Sequence, residues 1–209
     1  MQTVKLILKR LLLLTGLVLT SPLIFVTLLE ALLFGRKAER VYGSCKELLA
    51  LCPTLCGQYL RLAFYWAVCT RISPDACFLF GSMVAHRDTV IRGGGVVGTH
   101  SIIGYADIGE NVLFGARVSV ISGKYQHGRP EERAQDGAVR EEYQCIHIGG
   151  NSWIGEGALI LADVGAGCTV GAGSVVYKEV PDGITVMGNP ARKVSLQVTD
   201  TAGSAAGDK

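Results

Sequence analysis

Between Phe78 and Val120 every sixth residue is apolar: Phe78, Val84, Val90, Val96, Ile102, Ile108, Phe114 and Val120. After a charged interval the count resumes at Ile148, Ile154 and Ile160, then, two residues short, at Val164, Val170 and Val176. Glycine follows the apolar residue at Gly109, Gly115, Gly149, Gly155, Gly165 and Gly171. A period of six matches neither the 3.6 of an amphipathic helix nor the 2 of a half-buried strand. It suits a parallel β-helix, where a short strand with one inward aliphatic alternates with a tight corner and three faces close a coil. The inward residues then stack into a dry column, each coil burying the face of the one before. Glycine is expected at the corners, where backbone angles forbidden to other residues are needed. The Gly155–Gly157 and Gly171–Gly173 pairs read as corners and not as a nucleotide loop, because no βαβ unit surrounds them.

The rest of the chain is of a different kind. The hydrophobic fraction is 49%, yet 21 of the 27 glycines lie between Gly81 and Gly188, and the apolar residues crowd the N-terminus. The stretch from Leu11 to Leu29 carries no charge and is long enough to cross a bilayer. Lys5, Lys9 and Arg10 precede it, and Arg36, Lys37 and Arg40 follow. A secretory leader would be shorter and end in a small-residue cleavage site. Residues 1–43 are therefore expected to form an uncleaved membrane helix bent near Pro22, the alternative being a helix buried in a soluble core. Basic residues flank both ends, so charge alone does not set its orientation. A second apolar segment, Glu47 to Ile72, is interrupted by Pro53, Gly57 and Arg61. Residues 44–75 read either as an amphipathic helix with Tyr59, Tyr65 and Trp66 offered to a headgroup zone or as a second membrane element.

Composition narrows the partners. A net charge of +2 without a concentrated basic patch gives no argument for a nucleic-acid partner, and none is expected. Seven cysteines, odd in number and without CxxC or zinc-finger spacing, point to reduced thiols in a reducing compartment and to no metal site. The interruption in the repeat, residues 121–147, is long, charged and aperiodic and carries His127. Loops of this length in compact domains are usually functional or disordered. The polar tail, residues 196–209, is expected to be disordered.

Three strings then take on meaning: GGNSWIG from Gly149, VGAGSVVYKEVP from Val170 and GNPARKV from Gly188. In this order, from about Phe78 to Val194, they resemble the hexapeptide-repeat acetyltransferases, in particular the branch of galactoside, maltose and streptogramin O-acetyltransferases. The resemblance implies a left-handed parallel β-helix over residues 76–195, a homotrimer with sites between subunits, and acetyl-CoA lying along the coils. It also implies that the loop crosses to a neighbouring subunit with a catalytic histidine, which SGKYQHG aligns with His127. A sugar hydroxyl is a poor nucleophile, and histidine titrates close enough to working pH to take its proton and return it to the departing thiolate. For the donor, the resemblance carries over Trp153 and Ala172 on the pantetheine path, Lys178 near the nucleotide phosphates, and Arg192 with Lys193 at the 3′-phosphate. Basic side chains suit that multiply charged group.

The sequence departs from the pattern at Tyr177, where threonine is common, and at Glu156, where a small residue is common. That carboxylate is expected to orient a histidine or to face water. His86, His100 and His147 read as structural or surface histidines. The whole chain reads as a membrane-anchored, cytosol-facing O-acetyltransferase, its acceptor a hydroxyl on a glycan, a lipid-linked sugar or a lipid-like product. The facing follows from the cytosolic donor. Two rivals keep the fold: a non-catalytic trimeric scaffold, and a zinc carbonic anhydrase, for which three converging histidines would be needed.

Overall fold

The computed structural model describes residues 2–122 and 143–194. His127 and the body of the loop lie outside the described residues, as does the tail. From Arg71 onward the chain is a parallel β-helix of the left-handed type with three faces. The first face stacks Arg71–Ile72, Val90–Ile91, Ala106–Ile108 and Ile146–Ile148, and is continued by bridges from Ile148 to Val164 and on to Val180. The second stacks Cys77–Phe78, Val96–Val97, Leu113–Phe114, Trp153–Ile154, Thr169–Val170 and Thr185–Met187, and ends in the antiparallel pair Arg192–Lys193. The third stacks Met83–Val84, Ile102–Ile103, Ser119–Val120, Leu159–Ile160 and Val175–Val176.

The six-residue count needs one correction. In the second coil the inward residues are Ile91, Val97 and Ile103, all fully buried, and not Val90, Val96 and Ile102. Ile102 is 41% exposed. Seven residues separate Val84 from Ile91 and five separate Ile103 from Ile108, so an insertion and a deletion cancel. Because each of these strands has two adjacent aliphatics, the unbroken count runs through the coil one residue out of phase.

The irregularity is confined to one edge. The steps from first to second face and from second to third are always six residues, as in Ile148–Ile154–Ile160. The step from third face back to first is seven, then five, then the long loop between Val120 and Ile148, then four at Ile160–Val164 and four at Val176–Val180. This edge is where the fold tolerates insertions, and the loop leaves from it.

The glycines divide into two roles that the sequence merges. A Cβ on Gly155, next to inward Ile154, would come within 2.5 Å of the Ala172 backbone nitrogen one coil on. Gly155 is thus required by coil spacing and not by its own torsion. Gly157, three residues past Ile154, has φ +69 and makes the turn. The same left-handed position is filled by His100, Asn111, Arg117 and Asn151, so glycine is not obligatory there. A second buried column, two residues before the inward ones, mixes apolar residues such as Val112, Val118 and Ile146 with serines whose hydroxyls tie successive coils together. Ser101 Oγ donates to the Gly115 carbonyl (2.9 Å) and accepts from the Val118 N–H (3.0 Å), and Ser152 Oγ repeats this with Gly165 and Cys168. These buried hydroxyls are satisfied, as burial demands.

Three helices close the N-terminal end: α1 (Gln2–Phe34), α2 (Arg40–Ala50) and α3 (Thr54–Val68). Phe64, Tyr65, Leu62 and Val68 of α3 belong to one continuous core with Ile72, Phe78 and Val84. Tyr65 is fully buried, its hydroxyl accepting from the Val84 N–H (3.3 Å), so it is not available to a headgroup zone. Trp66 is 43% exposed. Arg61, read from sequence as an interruption, is fully buried without a carboxylate. Its guanidinium donates to the carbonyls of Leu49 (2.9 Å) and Cys52 (2.7 Å), and to that of Phe78 (3.2 and 3.3 Å). The first two close the C-terminal end of α2, where the helix dipole is negative.

The outer surface of α1 is apolar and its inner surface is mixed, with Leu13 in the core and Leu17, Leu23 and Ile24 packed against it beside several polar residues. The side turned to the protein carries Gly16, Thr20, Thr27 and Glu30, the last three buried, while Val18, Phe25 and Leu32 point outward. The span Val4–Phe34 has mean hydropathy 2.3, long and apolar enough to cross a membrane, and only 22% of its most apolar window is buried. That is the reverse of a soluble core helix.

Candidate functional site

The C-terminal end of the β-helix gathers the cations. After Thr185–Met187 the chain turns at Gly188 and returns antiparallel through Arg192–Lys193, held by Ala191 N–H to Val175 O (2.9 Å) and Val194 N–H to Thr185 O (2.9 Å). This return brings Arg192 and Lys193 beside Tyr177 and Lys178, which follow the last strand of the third face. A cavity of about 470 Å³ opens between them, floored by Val176, Val180, Ile184 and Val186. Lys178 Nζ lies 5.6 Å and Arg192 Cζ 5.9 Å from the Tyr177 ring centroid. The departure at Tyr177 thus holds two cations against one aromatic face, a favourable placement for both. With Glu179 the only carboxylate lining the cavity, its rim is net positive. An apolar floor with a cationic rim suits a ligand that is part ring and part phosphate.

Trp153 and Ala172 are not in this cavity. Trp153 is 44% exposed on the outer side of the second face, in register with Leu113 and Thr169. Ala172 is exposed at the next corner, one coil above Glu156. The structure brings Lys178, Arg192 and Lys193 together and leaves Trp153 and Ala172 on a neighbouring surface of the same chain. Glu156 pairs with Arg117 (2.5 Å), both exposed, so it orients no histidine among the described residues.

The loop leaves from a built base. The Ser122 carbonyl accepts from the Gln144 N–H (2.9 Å) and its hydroxyl accepts from the Tyr105 N–H (2.8 Å), pinning the two ends together. This base lies on the third-to-first edge between the third and fourth coils, and Lys178 lies on the same edge two coils on. At the spacing of parallel strands that is about 10 Å along the edge. Tyr143 packs at a tilt against His86 with 4.1 Å between centroids, and His86 Nδ1 is 2.8 Å from Glu39 Oε2. Cys145 sits here too. Burial and the nearby Asp107 charge raise its pKa, which favours the thiol over the thiolate. Tyr105 is raised in turn, first by Cys145 and then by burial.

Two histidine–carboxylate pairs escaped the sequence reading. One is His86 with Glu39. In the other, Asp163 Oδ1 accepts from the His147 N–H (2.8 Å) and its Oδ2 lies 3.6 Å from His147 Nδ1. Neither carboxylate is close in sequence to its histidine, and only the coiling places them together. His100 is structural: it holds a left-handed corner and packs edge-on against Phe80. No group of three metal-ligating side chains occurs among the described residues.

Known proteins can be set beside this geometry. The chain is 29% identical over 96 residues to a galactoside O-acetyltransferase from Lactococcus lactis, covering 45% of this chain and 44% of that one. It is 28% identical over 177 residues to a serine acetyltransferase from Buchnera aphidicola, covering 84% and 54%. The chain thus spans about half the length of the curated relatives it matches. Among solved structures it is similar to a maltose O-acetyltransferase from Clostridium difficile 630, at TM-score 0.61 and 21% identity over 75% of this chain and 84% of that one. A hexapeptide-repeat acetyltransferase from Vibrio cholerae gives TM-score 0.52 and 22% identity over 76% and 90%. At these identities the structural likeness establishes the β-helix. No family model matches the chain.

Proposed function

We propose that the chain is a membrane-anchored O-acetyltransferase that moves the acetyl group of acetyl-CoA to a hydroxyl of a glycan, a lipid-linked sugar or a lipid-like acceptor. The observation that carries this reading is the cationic cavity of Lys178, Arg192 and Lys193 on the edge from which the loop with His127 departs. Acetyltransferase relatives support the reaction class. Their names differ in acceptor, so the choice of a membrane-associated hydroxyl rests on α1, a long apolar helix whose outer surface stays exposed.

In the reaction, His127 accepts the hydroxyl proton as the oxygen attacks the thioester carbonyl. A tetrahedral oxyanion forms, the C–S bond breaks, and the imidazolium returns the proton to the departing thiolate. No acyl-enzyme is required. Lys178, Arg192 and Lys193 hold the phosphates of the donor and Tyr177 offers its face to the adenine end. Trp153 and Ala172, on an adjacent surface, line the pantetheine path where a second copy of a homotrimer completes it. The seven cysteines and the cytosolic donor support a β-helix on the cytoplasmic side of the membrane.

The test uses membranes holding the full chain or its His127→Ala variant, supplied with acetyl-labelled CoA. Label is expected in an extractable lipid or glycan with wild type, and to fall by about 10²–10⁴-fold in the variant, with donor binding retained. Equal transfer by both would remove His127 from the mechanism, and an absence of acetyl-CoA binding would leave only the scaffold.

A further inference from the structure

α1 is fastened to one end of the β-helix along its whole length. Near its start, Lys9 Nζ pairs with Asp75 (2.8 Å) on the first coil. In its middle, Gly16 meets the α3 backbone, where a Cβ would come within 2.8 Å of the Tyr59 carbonyl. Near its end, Glu30 takes Arg87 (3.1 Å), both side chains buried, and also accepts from the Val41 N–H (2.8 Å) at the start of α2. Just beyond, Arg36 reaches Asp88 (3.5 Å). Lys9 and Glu30 are about 31 Å apart along the helix axis, as far as a bilayer's hydrocarbon is thick. If α1 spanned, Asp75 and Asp88, both more than half exposed, would mark opposite sides of the bilayer, and the end coil between them would lie in hydrocarbon.

Resting on the membrane reading above, we infer that α1 does not cross the bilayer but lies in one leaflet, with both its ends and the β-helix on the same side. The flank charges fit this arrangement. Lys5 and Arg10 at one end and Lys37 and Arg40 at the other are exposed and form no ion pair among the described residues. A spanning helix would send one of these clusters across the membrane. An in-plane helix sets both against the headgroups of one anionic leaflet. The symmetric charge that leaves orientation open in the sequence is then the signature of an anchor whose ends are equivalent.

The helix interior is built for the same place. Pro22, on the exposed side, lacks the N–H that would bond the Val18 carbonyl, and Ser21 Oγ donates to that carbonyl instead (2.8 Å). Among lipid tails, where no water can serve an orphaned carbonyl, this substitution matters most. The coil axis then rises from the membrane, and the loop leaves the β-helix roughly 15 Å above the first coil, within reach of a lipid-linked sugar.

The experiment places one epitope tag before Gln2 and another after Lys209 in the full chain. An impermeant protease is applied to sealed inside-out and right-side-out vesicles after an alkaline carbonate wash. Removal of both tags from inside-out vesicles, with both protected in the opposite orientation, is the expected result. Tags cleaved from opposite sides would overturn the in-plane anchor while leaving the acetyltransferase reading intact. Both tags cleaved only from right-side-out vesicles would keep the in-plane anchor and refute the cytoplasmic facing. Loss of the chain in the wash would remove the membrane reading and this inference with it.

Discussion

Ile102 and Ile103 are neighbours of identical chemistry on the third face, and the corrected register predicts very different fates for them. Ile103 is fully buried between Val84 and Val120, while Ile102 is 41% exposed on the outer side of the same strand. Truncating Ile103 to alanine removes three carbons from a closed column and leaves a cavity that the coils above and below cannot collapse into without breaking ladder bonds. The expected cost is about 3–4 kcal/mol, within the usual range for buried aliphatics. Ile102→Ala loses only part of a transfer energy, about 1 kcal/mol. For a chain of this size each kcal/mol moves the midpoint roughly 2–4 °C. Ile103→Ala should therefore melt about 6–16 °C below wild type, and Ile102→Ala within about 4 °C. Thermal unfolding of the detergent-solubilised full chain at one fixed scan rate reads both. If Ile102→Ala proves as damaging as Ile103→Ala, or more so, the unbroken six-residue count is right and the register argued here is wrong.

Three further expectations are independent of that one. Lys178→Ala combined with Arg192→Ala should raise KM for acetyl-CoA by about 10- to 100-fold, from the loss of charged hydrogen bonds, and should lose the preference for a donor with its 3′-phosphate over one without. Hydrogen bonds from Arg92 to Asp107 hold this carboxyl below the usual carboxylate range. Its contribution to stability is thus complete above the ordinary carboxylate pKa and is lost as pH falls through the lowered one. Melting curves from pH 6 down to roughly pH 2 should show a decline that is shallower in Asp107→Asn. The Cys69 thiol, pushed up to about 12 by burial, should resist maleimide at neutral pH until the protein unfolds, whereas exposed Cys56 reacts at once, as peptide mass mapping would read.

What the sequence could say followed from periodicity and hydropathy. Inward apolar residues at Phe78, Val84, Ile108, Phe114 and Val120, and at every position named from Ile148 to Val176, stand where the count puts them, because a coil that buries one residue per face has few other ways to repeat. The long apolar helix was equally legible, since its composition alone sets it apart. The second coil was not, because paired aliphatics such as Val96–Val97 satisfy two registers and only the hydrogen-bonded ladder chooses. The same limit hid the work of Arg61, Glu30 and Glu39, whose partners lie 9 to 57 residues away and meet them only where α2 and α3 dock on the first coil. Lys178, Arg192 and Lys193 were legible as a set, yet their cavity depends on the chain turning back at Gly188. The sequence by itself determined that the chain coils and that its N-terminus forms a helix long and apolar enough to cross a membrane, because both are properties of local composition and spacing. Which surface of α1 meets the protein, and that both its ends meet the same coil, was decided only by tertiary structure, because it depends on contacts between residues far apart along the chain.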